Sequence, residues 1–318
     1  MLASSSGSPR PSVGDIFFRS LAGFAALFVL LVLFGVAVAL LWRSLPAFQH
    51  FGWSFLWTGT WDPVRDLFGG WIPIAGTLIS SAIALLIAVP LAYGVALFVT
   101  SLAPAWLGRP VGSAIELLAA IPSIIYGMWG LFVFAPLFAK AEPWISAHIG
   151  TLPYLGVLFR GPPMGIGMLT AGLILAIMVL PFIASIMRDV FAVVPPMLKE
   201  SAYALGATPW EVQRHVVLAY TRSAVLGGIF LGLGRALGET MAVTFVIGNA
   251  HQLSSSLLKP GNSIAALLAN EFAEASSPLY QSSLLALGFI LFVMTLVILI
   301  LARLLLWRLE TAQGKAGL

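Results

Sequence analysis

Six runs of about twenty or more mostly apolar residues constrain this chain more than anything else in it. They are Leu21–Leu41, Ile74–Leu102, Ile115–Ala139, Gly165–Met187, Ala224–Gly248 and Ser282–Leu306. At a helical rise of about 1.5 Å per residue, each covers the roughly 30 Å hydrocarbon core of a bilayer. Only 9% of the residues are charged, where an ordinary soluble domain carries about 25%. The expected fold is an all-α membrane protein with six transmembrane helices. With no cysteine, the chain has no disulfide, iron–sulfur centre or thiol nucleophile. Its four histidines, His50, His148, His215 and His251, are scattered without metal-ligand spacing, and no cofactor is expected.

Charge inside these runs is costly, so its location is informative. From Ser223 to Ala250 the only ionisable side chains are Arg235 and Glu239. An Arg near mid-membrane costs about 2.5–3.5 kcal/mol on insertion scales. Such a charge faces a bundle interior or a water-filled path. On one continuous helix the i,i+4 spacing places both side chains on the same face. Further turns of that helix bring Ala242, Val246 and Asn249 near the face, with Asn249 at its outer end. Thr240 and Thr244 are expected to bond back to their own helix. A structural ion pair locking two helices is the competing reading for Arg235 and Glu239. Glu116 opens the third run and reads as a cap-region charge favoured by the helix dipole.

Basic residues orient the spans. With the N-terminus inside, ten of them fall in cytoplasmic segments (Arg10, Arg19, Arg109, Arg188, Lys199, Arg214, Arg222, Arg303, Arg308 and Lys315). Five fall on the opposite side (Arg43, Arg65, Lys140, Arg160 and Lys259). That bias places both termini in the cytoplasm. The Ser/Gly/Pro-rich start reads as a disordered tail, and the first run as an uncleaved anchor rather than a signal peptide. Trp42, Trp53, Trp57, Trp61 and Trp71 crowd the first outside loop, where their rings suit the membrane interface. Pro90, Pro122 and Pro181 interrupt spans and are expected to kink them. Gly228-xxx-Gly232 and Gly234-xxx-Gly238 permit close helix packing.

The longest inside polar segment runs from Pro195 to Arg222. Pro195-Pro196 can open a short helix over Met197–Leu205 that stops at Gly206. Thr208-Pro209-Trp210-Glu211 then writes a capping box for a second helix. Helix, glycine turn, helix is compatible with a plain solvated loop, a nucleic-acid helix-turn-helix or a dock for a cytoplasmic protein. Mixed charges and the membrane tether speak against nucleic acid.

Resemblance adds to this reading. Glu200-Ser-Ala-xxx-Gly206 followed by Val216-Val-Leu218 resembles the EAA motif of ABC importer permeases. Ser201 replaces an Ala, Val216 an Ile, and Ala219 stands where Pro is usual. In that family the element is the coupling helix that docks on an ATPase, which implies that Glu200, Ala202 and Gly206 mark the contact. The stretch Gly232-Leu-Gly-Arg-Ala-Leu-Gly-Glu-Thr-Met-Ala-Val-Thr-Phe-Val-Ile-Gly-Asn249 is similar to the PstC family of phosphate-importer permeases. Trp61-Asp-Pro63 with Phe68-Gly69, and Glu116 through Pro122 to Gly130, agree with it.

The resemblance implies a type I ABC importer permease fold in the bacterial cytoplasmic (inner) membrane. Its expected layout is a disordered cytoplasmic tail over 1–18 and a first transmembrane helix with extracytoplasmic loop over 19–71. A transmembrane domain follows over 72–307, carrying the cytoplasmic coupling element 195–222, and then a cytoplasmic tail over 308–318. The implied partners are a PstA-like permease, a PstB-like ATPase dimer, a PstS-like periplasmic phosphate-binding protein and membrane lipid. Arg235 would meet phosphate with planar, bidentate donors. Glu239 would neutralise it in an empty path, and Asn249 would stand near the outer mouth. The chain has no G-x-x-x-x-G-K-S/T loop, so ATP hydrolysis would fall to a partner and the chain is not expected to be an enzyme. A PstA-like sister subunit, a permease for sulfate or molybdate, and a gradient-driven secondary anion transporter are the alternatives.

Overall fold

Apolar runs of this length fold as helices, and the computed structural model, which describes residues 13–316, is helical almost throughout. The helices are α1 (Val13–Phe51), α2 (Trp71–Leu97), α3 (Ala105–Ala119), α4 (Ser123–Trp129), α5 (Ala135–His148), α6 (Met168–Ala192) and α7 (Pro196–Ala204). They continue as α8 (Pro209–Glu211), α9 (Leu218–Leu237), α10 (Met241–Thr244), α11 (Ile264–Glu271) and α12 (Pro278–Ala316). Wide π turns join α4 to α5 and α8 to α9. Six membrane-length spans result among the described residues: Gly14–Leu56, Trp71–Leu102, Ser123–His148, Met168–Ala192, Pro209–Leu237 and Pro278–Arg308.

Helix α6 is the centre of the bundle, and α2, α3 and α9 pack around it. In lipid the hydrophobic effect does not drive one helix onto another, so close van der Waals fit must do it. Ala84, Ala88, Ala92 and Ala96 form a fully buried stripe along α2, spaced by one helical turn. On the facing side, a Cβ added at Gly172 would lie 2.5 Å from Ile83. Gly228 and Gly232 do the same for α9, where an added Cβ would fall 2.8 Å from Ile186 and 2.7 Å from Ile183. The first glycine pair therefore packs against α6. The second does not, since Gly234 has only Leu299 at 3.8 Å and Gly238 only a carbonyl at 3.8 Å.

Two expected spans are broken. The run Ile115–Ala139 divides at Ala120–Pro122, because Pro122 cannot donate and its ring disfavours helix at the preceding residue. Glu116 consequently lies in the last turn of α3 and does not open the third span. By contrast, α2 and α6 run through Pro90 and Pro181 without interruption. The run Ala224–Gly248 divides at Gly238, where α9 ends. The short α10 beyond it presses on α4 so closely that a Cβ at Gly127 would lie 2.9 Å from the Met241 carbonyl oxygen.

Chain after α10 is irregular and must satisfy its polar backbone inside the protein. Gly261 N–H donates to Ile247 O and Ala250 N–H to Gly261 O, both at 2.9 Å. Gly167 N–H donates to Val246 O at 2.9 Å, and Ile264 N–H to Thr77 Oγ1 at 2.9 Å. The tail boundaries also move. Helix α1 already begins at Val13, inside the segment 1–18 expected to be disordered, and residues 1–12 lie outside the described residues. Helix α12 runs to Ala316, into the segment 308–318 expected as a tail, and residues 317–318 lie outside the described residues.

Candidate functional site

Arg235 sits in the last turn of α9, where a cation is favoured by the helix dipole. It belongs to an exposed stripe of Leu231, Arg235, Gly238 and Met241. Its guanidinium lies 5.7 Å from the centre of the Phe182 ring of α6. Tyr126 of α4 is within electrostatic reach and donates its hydroxyl to Leu118 O at 2.8 Å, across the α3–α4 break. Arg235 makes no ion pair among the described residues.

The expected Arg235–Glu239 face is not formed, because the helix ends between them. Glu239 caps α10 instead: its Oε1 accepts the Ala242 N–H at 3.3 Å. Ala242 and Val246 are fully buried and do not line a path with Arg235. Asn249 follows the Gly248 turn at φ 52°, exposed, with its Nδ2 donating to Thr244 O at 3.4 Å. Thr244 Oγ1 bonds back to Thr240 O at 2.7 Å as expected, and Thr240 Oγ1 reaches Gly238 O at 3.4 Å. Phe182 and Tyr126 are neighbours that sequence spacing could not place beside Arg235. Tyr126 does lie within the Glu116–Gly130 stretch that carried the family resemblance.

The polar element at the other end follows its local code. Pro196 takes the first position of α7, which ends at Ala204. Gly206 then turns the chain at φ 87°, with open space where a Cβ would stand. Thr208 Oγ1 accepts the Glu211 N–H at 3.3 Å and Thr208 N–H donates to Glu211 Oε2 at 2.8 Å, completing the capping box. Glu200 and Gly206 are exposed and Ala202 is half-buried. Around them Met197, Leu198, Tyr203, Leu205 and Trp210 are exposed as well, a large apolar patch for a polar segment.

Outside the spans, Trp61 departs from its neighbours. Trp42, Trp53 and Trp57 are exposed, but Trp61 is buried and donates its Nε1–H to Glu271 Oε2 at 2.7 Å. Tyr280 donates to the same oxygen at 2.6 Å, and His251 Nε2 lies 3.1 Å from Oε1. Burial raises the Glu271 carboxyl, yet the bonds from His251, Tyr280 and Trp61 outweigh it and hold the group below its ordinary value. This cluster fastens the loop before α2 to α11 and α12. Its partners are separated by up to 210 positions, so no local pattern announced it.

Five further spans behind a peripheral first helix, with a helix–glycine–helix element leading into the fifth span, give the fold of type I ABC importer permeases. The chain is similar in fold to a bacterial alginate ABC transporter, with a TM-score of 0.60 at 18% identity over 91% of this chain and 93% of that one. Residues 88–311 match the family described as binding-protein-dependent transport system inner membrane component. The phosphate transport system permease protein PstC of Xylella fastidiosa (strain 9a5c) is 58% identical, covering 96% of this chain and 94% of that protein. The protein of the same description from Pasteurella multocida is 57% identical, covering 95% and 94%. The chain belongs to the PstC family of binding-protein-dependent inner-membrane permeases. It is thus a multi-pass membrane protein that works with other components of an ABC transporter.

Proposed function

We propose that this chain forms one half of the translocation path of an ATP-driven inorganic phosphate importer. The observation that carries this reading is Arg235, a cation without an ion-pair partner among the described residues, exposed beside the break between α9 and α10. A guanidinium offers fixed, paired donors that match phosphate oxygens. Leu231 on the same stripe is exposed, as are Ile125 and Met128 of α4, the helix that carries Tyr126. A PstA-like permease covers that face and completes the path. Glu239 and Asn249 flank it: Glu239 holds α10 in place, and Asn249 stands at the turn beyond.

The segment 195–222 is the coupling element. Glu200, Ala202 and Gly206 contact one subunit of a PstB-like ATPase dimer, which hydrolyses ATP for a chain that does none itself. A PstS-like binding protein delivers phosphate on the other side, and both termini lie in the cytoplasm. The test is uptake of radiolabelled phosphate by vesicles containing the reconstituted complex, with sulfate as competitor. Arg235→Gln is expected to abolish uptake while the complex still assembles. Normal uptake by that variant, or competition by sulfate as strong as by phosphate, rejects the reading.

A further inference from the structure

Arg188 lies one turn before the end of α6 and reaches across to α3. Its Nη2 donates to Glu116 Oε1 at 2.7 Å. The same nitrogen lies 2.8 Å from Asp189 Oδ1, and Nε donates to that oxygen at 3.1 Å. Gly112, one turn before Glu116, makes room for the crossing, since an added Cβ would stand 3.2 Å from Arg188 Nη1. An open groove of about 530 Å³ is lined by the pair itself together with Thr100, Arg109, Gly112 and Ser113.

Each side of this ion pair leads to a functional element. On the α6 side only residues 193–195 separate the end of that helix from α7. Val194 is buried there, and Lys199 Nζ of α7 lies 3.5 Å from Phe191 O. On the α3 side, Leu118 O accepts the Tyr126 hydroxyl, which spans the break into α4. Helix α4 carries Tyr126 next to Arg235 and presses Gly127 onto α10.

We propose that Arg188 and Glu116 form a latch that transmits movement of the α7–α8 element to the path-lining helices α4 and α10. Both are positioning residues: neither touches the anion. The inference rests on the reading of the chain as an ATP-driven phosphate permease. Contiguity alone does not couple two sites; a two-state element does. Arg188 supplies one because it already holds a second carboxylate. When α3 moves away, Asp189 keeps the guanidinium paired, so opening leaves no bare charge on α6. The Glu116 side chain is 58% exposed, so its carboxylate is rehydrated when released.

The test uses the whole complex in proteoliposomes with phosphate-loaded binding protein outside and ATP inside, and reads phosphate uptake and ATP hydrolysis together. Glu116→Gln and Arg188→Gln are each expected to lower the phosphate carried per ATP hydrolysed by roughly three- to tenfold, the size of a typical coupling effect. Recovery of the complex should be unchanged, because a half-exposed ion pair contributes little to stability. Arg188→Lys, which keeps a cation between the two carboxylates, should retain more of the ratio than Arg188→Gln. Gly112→Ala, which keeps both charges but crowds the guanidinium, should lower it in the same direction. Unaltered ratios in the single variants overturn the latch, as does a ratio for Arg188→Lys no better than that for Arg188→Gln. If the single variants fail to assemble, a normal ratio for Gly112→Ala overturns it. A wild-type complex without ATP-dependent phosphate uptake defeats the functional reading instead.

Discussion

Glu271 shows what a single part-buried carboxylate does for the loop before α2. It accepts from Trp61 and Tyr280 at one oxygen and meets His251 at the other. Removing it strands two buried donors, which costs about 1–3 kcal/mol for groups of this kind. Glu271→Ala should therefore lower the thermal midpoint of the detergent-solubilised protein at pH 7. The pH dependence has a definite sign. The folded-state carboxyl sits below its ordinary value, so its contribution is present above the unfolded-state range, about 4.3, and fades as pH falls through the lower folded value. The gap between wild type and Glu271→Gln should shrink on acidification through that window; a gap that widens would contradict the assignment. Residue-level legibility divides here by what sets each position. Arg235 was legible because a cation in an apolar run is costly wherever it stands. Its relation to Glu239 was not, because i,i+4 geometry presumes an unbroken helix, and the break depends on how α10 packs on Gly127 of α4.

At the scale of elements, small residues decide which helices touch. Gly228 and Gly232 let α9 approach α6, and no such contact exists at Gly234 or Gly238. Gly232→Val should destabilise the bundle by about 1–3 kcal/mol, since its side chain has to displace Ile183 in a filled interior. Gly234→Ala meets only Leu299 at an ordinary contact distance of 3.8 Å and gains helix propensity, by up to about 1 kcal/mol. Thermal unfolding in detergent should thus separate two glycines only two positions apart, and equal losses would refute the packing assignment. The sequence pattern marked both pairs alike, since small-xxx-small says that approach is possible, not which neighbour accepts it. Caps were read more securely. Thr208 and Glu211 form their box because both partners lie within one turn, so nothing distant has to cooperate. The Pro122 break was only half legible: the proline predicts a kink, but full separation of α3 places Arg188 opposite Glu116.

For the whole molecule, the six-span architecture was legible in the apolar runs, while the two unpartnered faces were not. One face surrounds Arg235; the other is the tip of the α7–α8 element, proposed above as the ATPase dock. At that tip Leu205 is 90% exposed and Met197 74%, beside Gly206 at φ 87°. These side chains do little for the fold of this chain, yet large exposed apolar groups on a polar segment are of the kind that marks a protein contact. Leu205→Asp should leave the stability of the isolated chain within about 0.5 kcal/mol, as for other exposed positions. It should nevertheless reduce recovery of the ATPase subunit when the complex is purified through this chain. Gly206→Val should do so by a different route, since a β-branched residue in the left-handed region costs about 1–2 kcal/mol and redirects α8 relative to α7. The two variants separate surface chemistry from backbone geometry. Loss in Leu205→Asp alone means that the ATPase reads the side chains and tolerates the angle; loss in Gly206→Val alone means that the angle is what docks. Full ATPase recovery with both would remove this element from the interface and leave its exposed leucine and methionine for another partner.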